Sequence, residues 1–223
     1  MGPGIIDVFK QYYPIFLKGA VGTLKFAAIA VGLGSILGTL IGFIHLSKNK
    51  VLSGAAGLYS TVIRGTPLLV QMYIAYYFIP MAIPALSFLS KEQCVMMSLI
   101  LNSSAYVSEI IRGGIASVDI GQTEAARSLG MSAGHTMTRI VLPQALKAIL
   151  PSLGNEYVSM VKETSLAGSF AMYELTFTKT LLANKYLIWQ PLFIIAAIYL
   201  VMTVVLSGLI RIFERRLSAG DKH

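Results

Sequence analysis

The chain has 223 residues, of which 55% are hydrophobic and only 13% are charged, and its mean hydropathy is +0.70. Because a soluble globular domain carries about 25% charged residues, this composition places the chain in a lipid bilayer. The net charge of +8 does not indicate a nucleic-acid-binding protein, since Lys and Arg lie between apolar runs rather than on one polar face. A single cysteine, Cys94, excludes an internal disulfide and a metal site built from several cysteines.

Apolar stretches predict five membrane-spanning helices, because a helix needs about 20 apolar residues to cross the hydrocarbon. Three stretches meet this length almost without ionisable residues: Phe26 to Leu46, Gly65 to Ser90 and Tyr186 to Ile210. Two others are interrupted by ionisable residues: Gln93 to Ile111 and Gln144 to Leu166. We predict an all-α integral membrane protein with one transmembrane domain over residues 1–223 and spans near 20–46, 58–88, 93–112, 143–166 and 187–211.

The distribution of Lys and Arg predicts the orientation, because cytoplasmic loops carry an excess of both. With the N-terminus outside, the outer segments hold few of them: Lys10, Lys18, Lys91, Lys179 and Lys185. The inner segments then hold about twice as many: Lys48, Lys50, Arg64, Arg112, Arg127, Arg139, Lys147, Arg211, Arg215, Arg216 and Lys222. This asymmetry predicts that the polar loop of residues 117–141 and the C-terminus are cytoplasmic.

Two local patterns concern the first two spans. Small residues recur at Ala30, Gly34, Gly38 and Gly42, a spacing that puts them on one helical face, where another helix can approach closely. The alternative is the general enrichment of glycine in membrane helices. In the second span, Arg64–Pro67 predicts a helix entry or a break near the inner interface.

The polar loop of residues 117–141 predicts two short helices joined at a glycine. Asp119, with Gln122 three positions later, is typical of a capping box, and Gly130 is typical of the end of the helix that follows. A second helix is expected to begin near Ser132 and to continue towards the next span. The first helix, of about ten residues, is too short to be stable alone in water.

This loop also has the features of a docking surface. Ala125 and Ala126 give the first helix a nearly bare surface between Glu124 and Arg127, which a groove on a partner protein can receive. The alternative is an ordinary amphipathic helix that lies at the membrane interface.

Polar residues inside predicted spans are candidates for a binding site, because burying an ionisable group in a membrane costs about 2.5–3.5 kcal/mol on insertion scales. Glu156, Met160 and Glu163 are spaced i, i+4, i+7 and share one helical face, where two carboxylates can accept hydrogen bonds from an ammonium group. The amide of Asn102 can donate to a carboxylate and accept from an amine. Structural roles are the alternative: Glu163 can pair with a distant lysine, and polar groups in membrane helices often bond to neighbouring helices.

Glu124-Ala125-Ala126, Gly130 and Ile140-x-Leu142-Pro143, together with several further blocks in a fixed order along the chain, resemble motifs of the permeases of bacterial ABC importers. Glu124-Ala125-Ala126, Gly130 and Ile140-x-Leu142-Pro143 match the spacing of the EAA motif, a helix pair that inserts into the ATPase subunit of those importers. Further blocks resemble the polar amino acid branch: Arg64 to Gln71, Asn102 to Tyr106, Glu109 to Ile115, Gly154 to Glu156 and Lys162 to Leu166. The resemblance covers residues from roughly 20 to 217. It departs at Asp119-Ile120, where the branch often has a proline, and at Glu163, where many members carry Asp.

The resemblance implies a type I ABC importer permease fold, with five transmembrane helices and a cytoplasmic coupling-helix pair, in the bacterial inner membrane. The implied function is that of a permease subunit of an ATP-driven importer for a polar amino acid, basic ones included. The implied substrate-binding residues are Asn102, Glu156, Met160 and Glu163. The implied ATPase-coupling residues are Glu124, Ala125, Ala126, Gly130, Ile140, Leu142 and Pro143.

The implied partners are an ABC ATPase dimer, a second permease subunit that is identical or homologous, an external solute-binding protein and membrane lipid, with no nucleic acid. The sequence has no Gly-x-x-x-x-Gly-Lys-Ser/Thr phosphate loop, so we expect ATP to bind the partner ATPase and this chain to be neither an enzyme nor the carrier of a cofactor or metal.

Two other functions remain open from the residues alone. One is an ion-gradient-driven secondary transporter or channel for a small polar solute, with Glu156 and Glu163 as proton or sodium sites. The other is an intramembrane enzyme, for which no spacing of a nucleophile and a base is present. Glu109 and Arg112, near the inner end of the third span, are expected to form a fixed structural ion pair.

Overall fold

The computed structural model describes residues 4–183 and 189–218, and this part of the chain is helical, without strands. The α-helices are α1 Ile5–His45, α2 Lys50–Gly65, α3 Leu68–Tyr73, α4 Ile79–Ala82, α5 Lys91–Ala116, α6 Ile120–Ser128, α7 Ala133–Thr136, α8 Leu142–Glu163, α9 Thr178–Leu182 and α10 Trp189–Ser218. The remaining helical turns are π-helical at Ile74–Phe78 and Met137–Val141 and 3₁₀-helical at Pro84–Leu86 and Thr164–Phe170. The predicted all-α class is confirmed. The start of the fifth predicted span, before residue 189, lies outside the described residues, as do Lys185 and Lys222.

Among the described helices, three are long and apolar enough to cross a membrane: Ile5–His45, Lys91–Ala116 and Trp189–Leu217. The first of them begins well before the predicted start near residue 20 and contains a kink at Tyr12, which has φ −122° and ψ 17° and precedes Pro14 by two residues. Proline removes an intrahelical hydrogen bond and crowds the preceding turn, which accounts for the distortion.

The second predicted span is divided by the break that Arg64–Pro67 predicts. Helix α2 ends at Gly65, and α3 begins at Leu68. Thr66 between them is extended, with φ −115° and ψ 144°, the conformation that a following proline imposes. The apolar helical stretch beyond the break, Leu68–Ala82, is shorter than the three long helices.

The small-residue face of α1 packs directly on α5. A Cβ atom added to Gly34 would lie 2.8 Å from the Cβ of Ser103, and one added to Gly38 would lie 2.6 Å from the carbonyl oxygen of Ser104. Both distances are shorter than carbon and oxygen atoms tolerate, so only glycine permits this spacing. The prediction that another helix approaches this face is confirmed. Cys94, on α5, is fully buried.

The loop after α5 forms the two predicted helices. The side chain of Asp119 caps α6, but it accepts from the N–H of Gly121, two residues on, at 2.7 Å, rather than from the third helical residue as in a capping box. Gly130 follows α6 with φ +81°, a left-handed conformation that favours glycine. Ser132 caps α7, which continues through the π-helical turn into α8. The second helix is therefore joined to α8 without an intervening loop.

Candidate substrate cavity

A cavity of about 510 Å³ lies where α5 and α8 face the break between α2 and α3. It is lined by Arg64, Gly65, Thr66, Pro67, Leu68, Asn102, Tyr106, Glu156, Ser159, Met160 and Glu163. All four residues that we predict to bind substrate, Asn102, Glu156, Met160 and Glu163, are in this lining. The structure brings them together, while their contact with a substrate stays a prediction.

Helix α8 contributes one acidic face to the cavity. Glu156 and Met160 are 8% and 1% exposed, whereas Glu163, at the end of the helix, is exposed. The hydroxyl of Ser103 donates to Oε1 of Glu156 at 3.0 Å, and no other hydrogen bond to this carboxylate comes from the described residues. Ser103 therefore orients Glu156, and one carboxylate oxygen is left for a donor in the cavity.

Gln71 connects Asn102 to the helix break. Its Nε2 donates to the carbonyl oxygens of Ile63 at 2.7 Å and Thr66 at 3.1 Å, which the break leaves without helical partners. Its Oε1 accepts from Nδ2 of Asn102 at 3.4 Å. One amide thus stabilises the break and orients a cavity residue. The sequence places Gln71 four residues after Pro67 but does not show which carbonyl groups it would reach.

A cluster of charges lies beside the cavity, near the C-terminal ends of α1, α2 and α5. Oε2 of Glu109 accepts from Arg112 at 2.8 Å, which confirms the predicted pair, and lies 3.5 Å from Nη1 of Arg64. Oε1 of Glu109 is 3.6 Å from Nδ1 of His45. The guanidinium of Arg64 also lies over the ring of Tyr106, 5.5 Å from its centroid. Because Arg64 and Tyr106 line the cavity, the cluster bounds it on that side.

The predicted coupling residues lie at the opposite end of α8 from Glu163. Glu124, Ala125, Gly130 and Pro143 are exposed, and Ile140 and Leu142 are partly buried. Ala126 is only 5% exposed, so it packs within the chain and does not contribute to a bare outer surface together with Ala125. Of the residues Glu124, Ala125 and Ala126, only Glu124 and Ala125 are therefore available on the surface of α6.

A polar cavity at a broken helix, between long apolar helices, is typical of a membrane transport protein. The family of binding-protein-dependent transport system inner membrane components matches residues 30–219, and the chain belongs to this family. This confirms the resemblance to ABC importer permeases. Permease subunits of such importers are not themselves enzymes.

Individual relatives match almost the whole chain. It is 38% identical over 217 residues to the nopaline transport system permease protein of Agrobacterium fabrum, covering 94% of this chain and 90% of the relative. It is 37% identical over 217 residues to a putative glutamine transport system permease protein of Rickettsia felis, covering 96% and 99%. The fold is similar to a chain in the crystal structure of an amino acid ABC transporter with histidines, with TM-score 0.89, 40% identity and coverage of 97% and 100%.

Proposed function

We propose that this chain is the permease subunit of an ATP-driven importer for a polar amino acid, basic ones included. The observation that carries the proposal is the single cavity in which Asn102, Glu156, Met160 and Glu163 meet. The carboxylates supply acceptors for the ammonium group and for a cationic side chain, and the amide of Asn102 supplies a donor and an acceptor. Relatives named for nopaline and glutamine transport support a substrate of this class.

The proposed arrangement is one domain with five spans in the bacterial inner membrane, the N-terminus outside and the C-terminus cytoplasmic. A second permease subunit, identical or homologous, completes the transmembrane part. The exposure of Arg64, Tyr106, Ser159 and Glu163 supports this arrangement, because the cavity opens on a side where no described helix of the chain covers it. An external solute-binding protein delivers the amino acid.

The proposed energy source is an ABC ATPase dimer that binds ATP and docks on α6 and α7. The residues proposed to couple ATPase closure to alternating access are Glu124, Ala125, Ala126, Gly130, Ile140, Leu142 and Pro143. The exposure of α6 and the direct continuation of α7 into α8 support this role. A displacement of the docked pair is passed along α8 to the residues that line the cavity. The chain itself is proposed to bind no cofactor.

The substrate role is tested by Glu163→Gln in the complete transporter, with uptake of arginine, histidine and glutamine measured at equal protein levels. Loss of a charge-assisted hydrogen bond is expected to lower arginine uptake about tenfold or more and glutamine uptake less. The matched control is Glu92→Gln, which changes an exposed carboxyl in the first turn of α5. Equal losses for all three amino acids would assign Glu163 to the shared amino group or to structure. Unchanged uptake would remove it from the site.

The energy source is tested by reconstituting the chain with and without its ATPase. We expect uptake only with the ATPase and ATP. Uptake driven by a proton or sodium gradient in vesicles that contain this chain alone would contradict the proposal and favour the gradient-driven transporter.

A further inference from the structure

The connection from α8 to α10 contains a fully buried carboxylate that the proposed site does not use. Glu174 is 0% exposed. Its Oε1 accepts from the N–H of Phe177 at 2.6 Å, and its Oε2 accepts from the N–H of Thr176 at 2.7 Å and the hydroxyl of Tyr199, on α10, at 2.9 Å. The side chain of Glu174 therefore holds the backbone of residues 174–177 in a turn and links this turn to α10.

These contacts require a carboxylate rather than an amide. Burial raises the pKa of Glu174, and the donors from Thr176, Tyr199 and Phe177 oppose that rise by stabilising the charged form. Each oxygen faces a backbone N–H. A glutamine amide would turn its NH₂ group towards one of these donors in either orientation, so Glu174→Gln cannot preserve the network.

The same segment is fixed to α1. The N–H of Leu175 donates to Oγ1 of Thr23 at 3.1 Å. Gly19 and Gly22 allow close contact: a Cβ on Gly19 would lie 2.7 Å from Cγ2 of Thr178, and one on Gly22 would overlap the carbonyl oxygen of Tyr173. Glu174 thus lies in a segment, residues 173–178, that is held between α1 and α10.

The segment of residues 173–178 contacts the turn that follows Glu163, the last cavity residue of α8. The 3₁₀-helical turn Thr164–Phe170 begins directly after Glu163, and a Cβ added to Gly168 in that turn would overlap Oε1 of Glu174. At the end of the turn, the ring of Phe170 lies 5.0 Å from Tyr73 and 5.1 Å from Tyr76, measured between ring centroids.

The three rings lie on the side of the cavity away from the coupling helices. Leu68, which lines the cavity, is followed one helical turn later by Met72, and both pack with Phe170 and Met160 in one buried cluster. Tyr76 packs against the same cluster. The rings therefore lie beyond Met72 on the path from the cavity along α3.

We propose that Glu174 is a positioning residue for transport, which fixes the Thr164–Phe170 turn so that Phe170, against Tyr73 and Tyr76, closes the cavity at the end opposite the coupling helices. The proposal rests on the proposed function only in taking this cavity as the substrate cavity. Its test requires neither uptake nor a known substrate, so either proposal can fail alone.

The test measures access to the cavity from outside. Ser159→Cys, at an exposed residue of the lining, is introduced after Cys94→Ala removes the one native thiol of this chain, and the complete transporter is placed in right-side-out vesicles without ATP. A membrane-impermeant maleimide then reports how often the outer end is open. We expect Glu174→Gln and Phe170→Ala each to speed labelling about tenfold, because each raises the open population. The labelling rate of the double variant is expected to equal that of the faster single variant, because both changes open the same end of the cavity.

Three controls distinguish a positioning role of Glu174 from a general loss of packing throughout the chain. Glu92→Gln is expected to leave the labelling rate of the cysteine at position 159 unchanged. Native Cys94, fully buried in α5, is expected to stay unlabelled in Glu174→Gln. Ser128→Cys, at an exposed position in the loop of residues 117–141, is expected to stay unlabelled from outside.

Four results would overturn the proposal: an unchanged rate for Glu174→Gln, effects that multiply in the double variant, labelling of Cys94, or labelling at position 128. If Glu174→Gln does not assemble, Tyr199→Phe replaces it. That variant keeps the carboxylate and removes one donor, so a smaller acceleration is expected, and an unchanged rate would again overturn the proposal.

Discussion

The two connections at the ends of α8 are built differently. The coupling segment, residues 117–141, is capped by local hydrogen bonds at Asp119 and Ser132, and most of its side chains are exposed. The segment after α8 is bonded to α1 through Thr23 and to α10 through Tyr199, with Glu174 fully buried between them.

The difference matches what each segment is proposed to contact. A surface that docks on another protein keeps its groups available and takes part of its stability from the partner, whereas a closure over an internal cavity depends on contacts within the chain. Changes in the coupling segment should therefore affect coupling more than stability. Changes where the helices pack against the segment after α8 should directly lower the stability of the chain.

Gly130→Asp should have the largest effect and should separate coupling from stability. No atom lies within 4 Å of a Cβ built on Gly130, so the chain itself has room for the side chain, although φ +81° strains it locally. A charged group at the junction of the two helices is expected to block ATPase docking. We expect ATP-driven uptake to fall to background while membrane insertion and the melting temperature of the chain stay close to wild type.

Gly54→Asp is the matched control for this change. Gly54 also has open space around its Cβ position and lies on α2, outside the coupling segment. Uptake should persist in this variant. Normal uptake by Gly130→Asp would count against docking at this junction, and unfolding of Gly130→Asp would show that the segment supports the fold of the chain.

Gly22→Ala should produce the opposite result, a loss of stability. Its new methyl group would overlap the carbonyl oxygen of Tyr173, and overpacking typically costs about 1–3 kcal/mol. Gly32→Ala is the control on the same helix, because nothing lies within 4 Å of its Cβ position, and replacing a helical glycine there should add about 0.5–1 kcal/mol. Thermal melting of the purified transporter should move down for Gly22→Ala and up for Gly32→Ala. A similar shift for both would disprove close packing at Gly22.

The same contrast explains what the sequence could predict. Caps and helix ends depend on residues a few positions apart, so Asp119, Gly130 and Ser132 could be assigned from local rules. Helical spacing likewise placed Glu156 and Glu163 on one face, because the period of a helix is fixed.

Contacts between distant segments left no comparable signal. Glu174 lies 25 residues from Tyr199 along the chain, and Thr23 lies 152 residues from Leu175, so no local pattern indicates these bonds. The bond from Ser103 to Glu156, across 53 residues, was missed for the same reason. Distant partners of this kind follow only from the packing of the helices.

Ala171 offers the smallest and most specific test. It has φ +60°, whereas the coupling segment uses glycine for its left-handed residue, Gly130. A left-handed conformation costs a non-glycine residue roughly 1–2 kcal/mol, and glycine would remove that cost while adding about 0.4–1 kcal/mol of unfolded-state entropy. Because Ala171 is exposed and loses little packing, Ala171→Gly should leave melting unchanged or raise it slightly, while Ala171→Val should lower it. A clear loss of stability in Ala171→Gly would mean that the methyl group of Ala171 supports the segment after α8. The contrast with the loop around Gly130 would then include exposed residues of that segment as well as the buried Glu174.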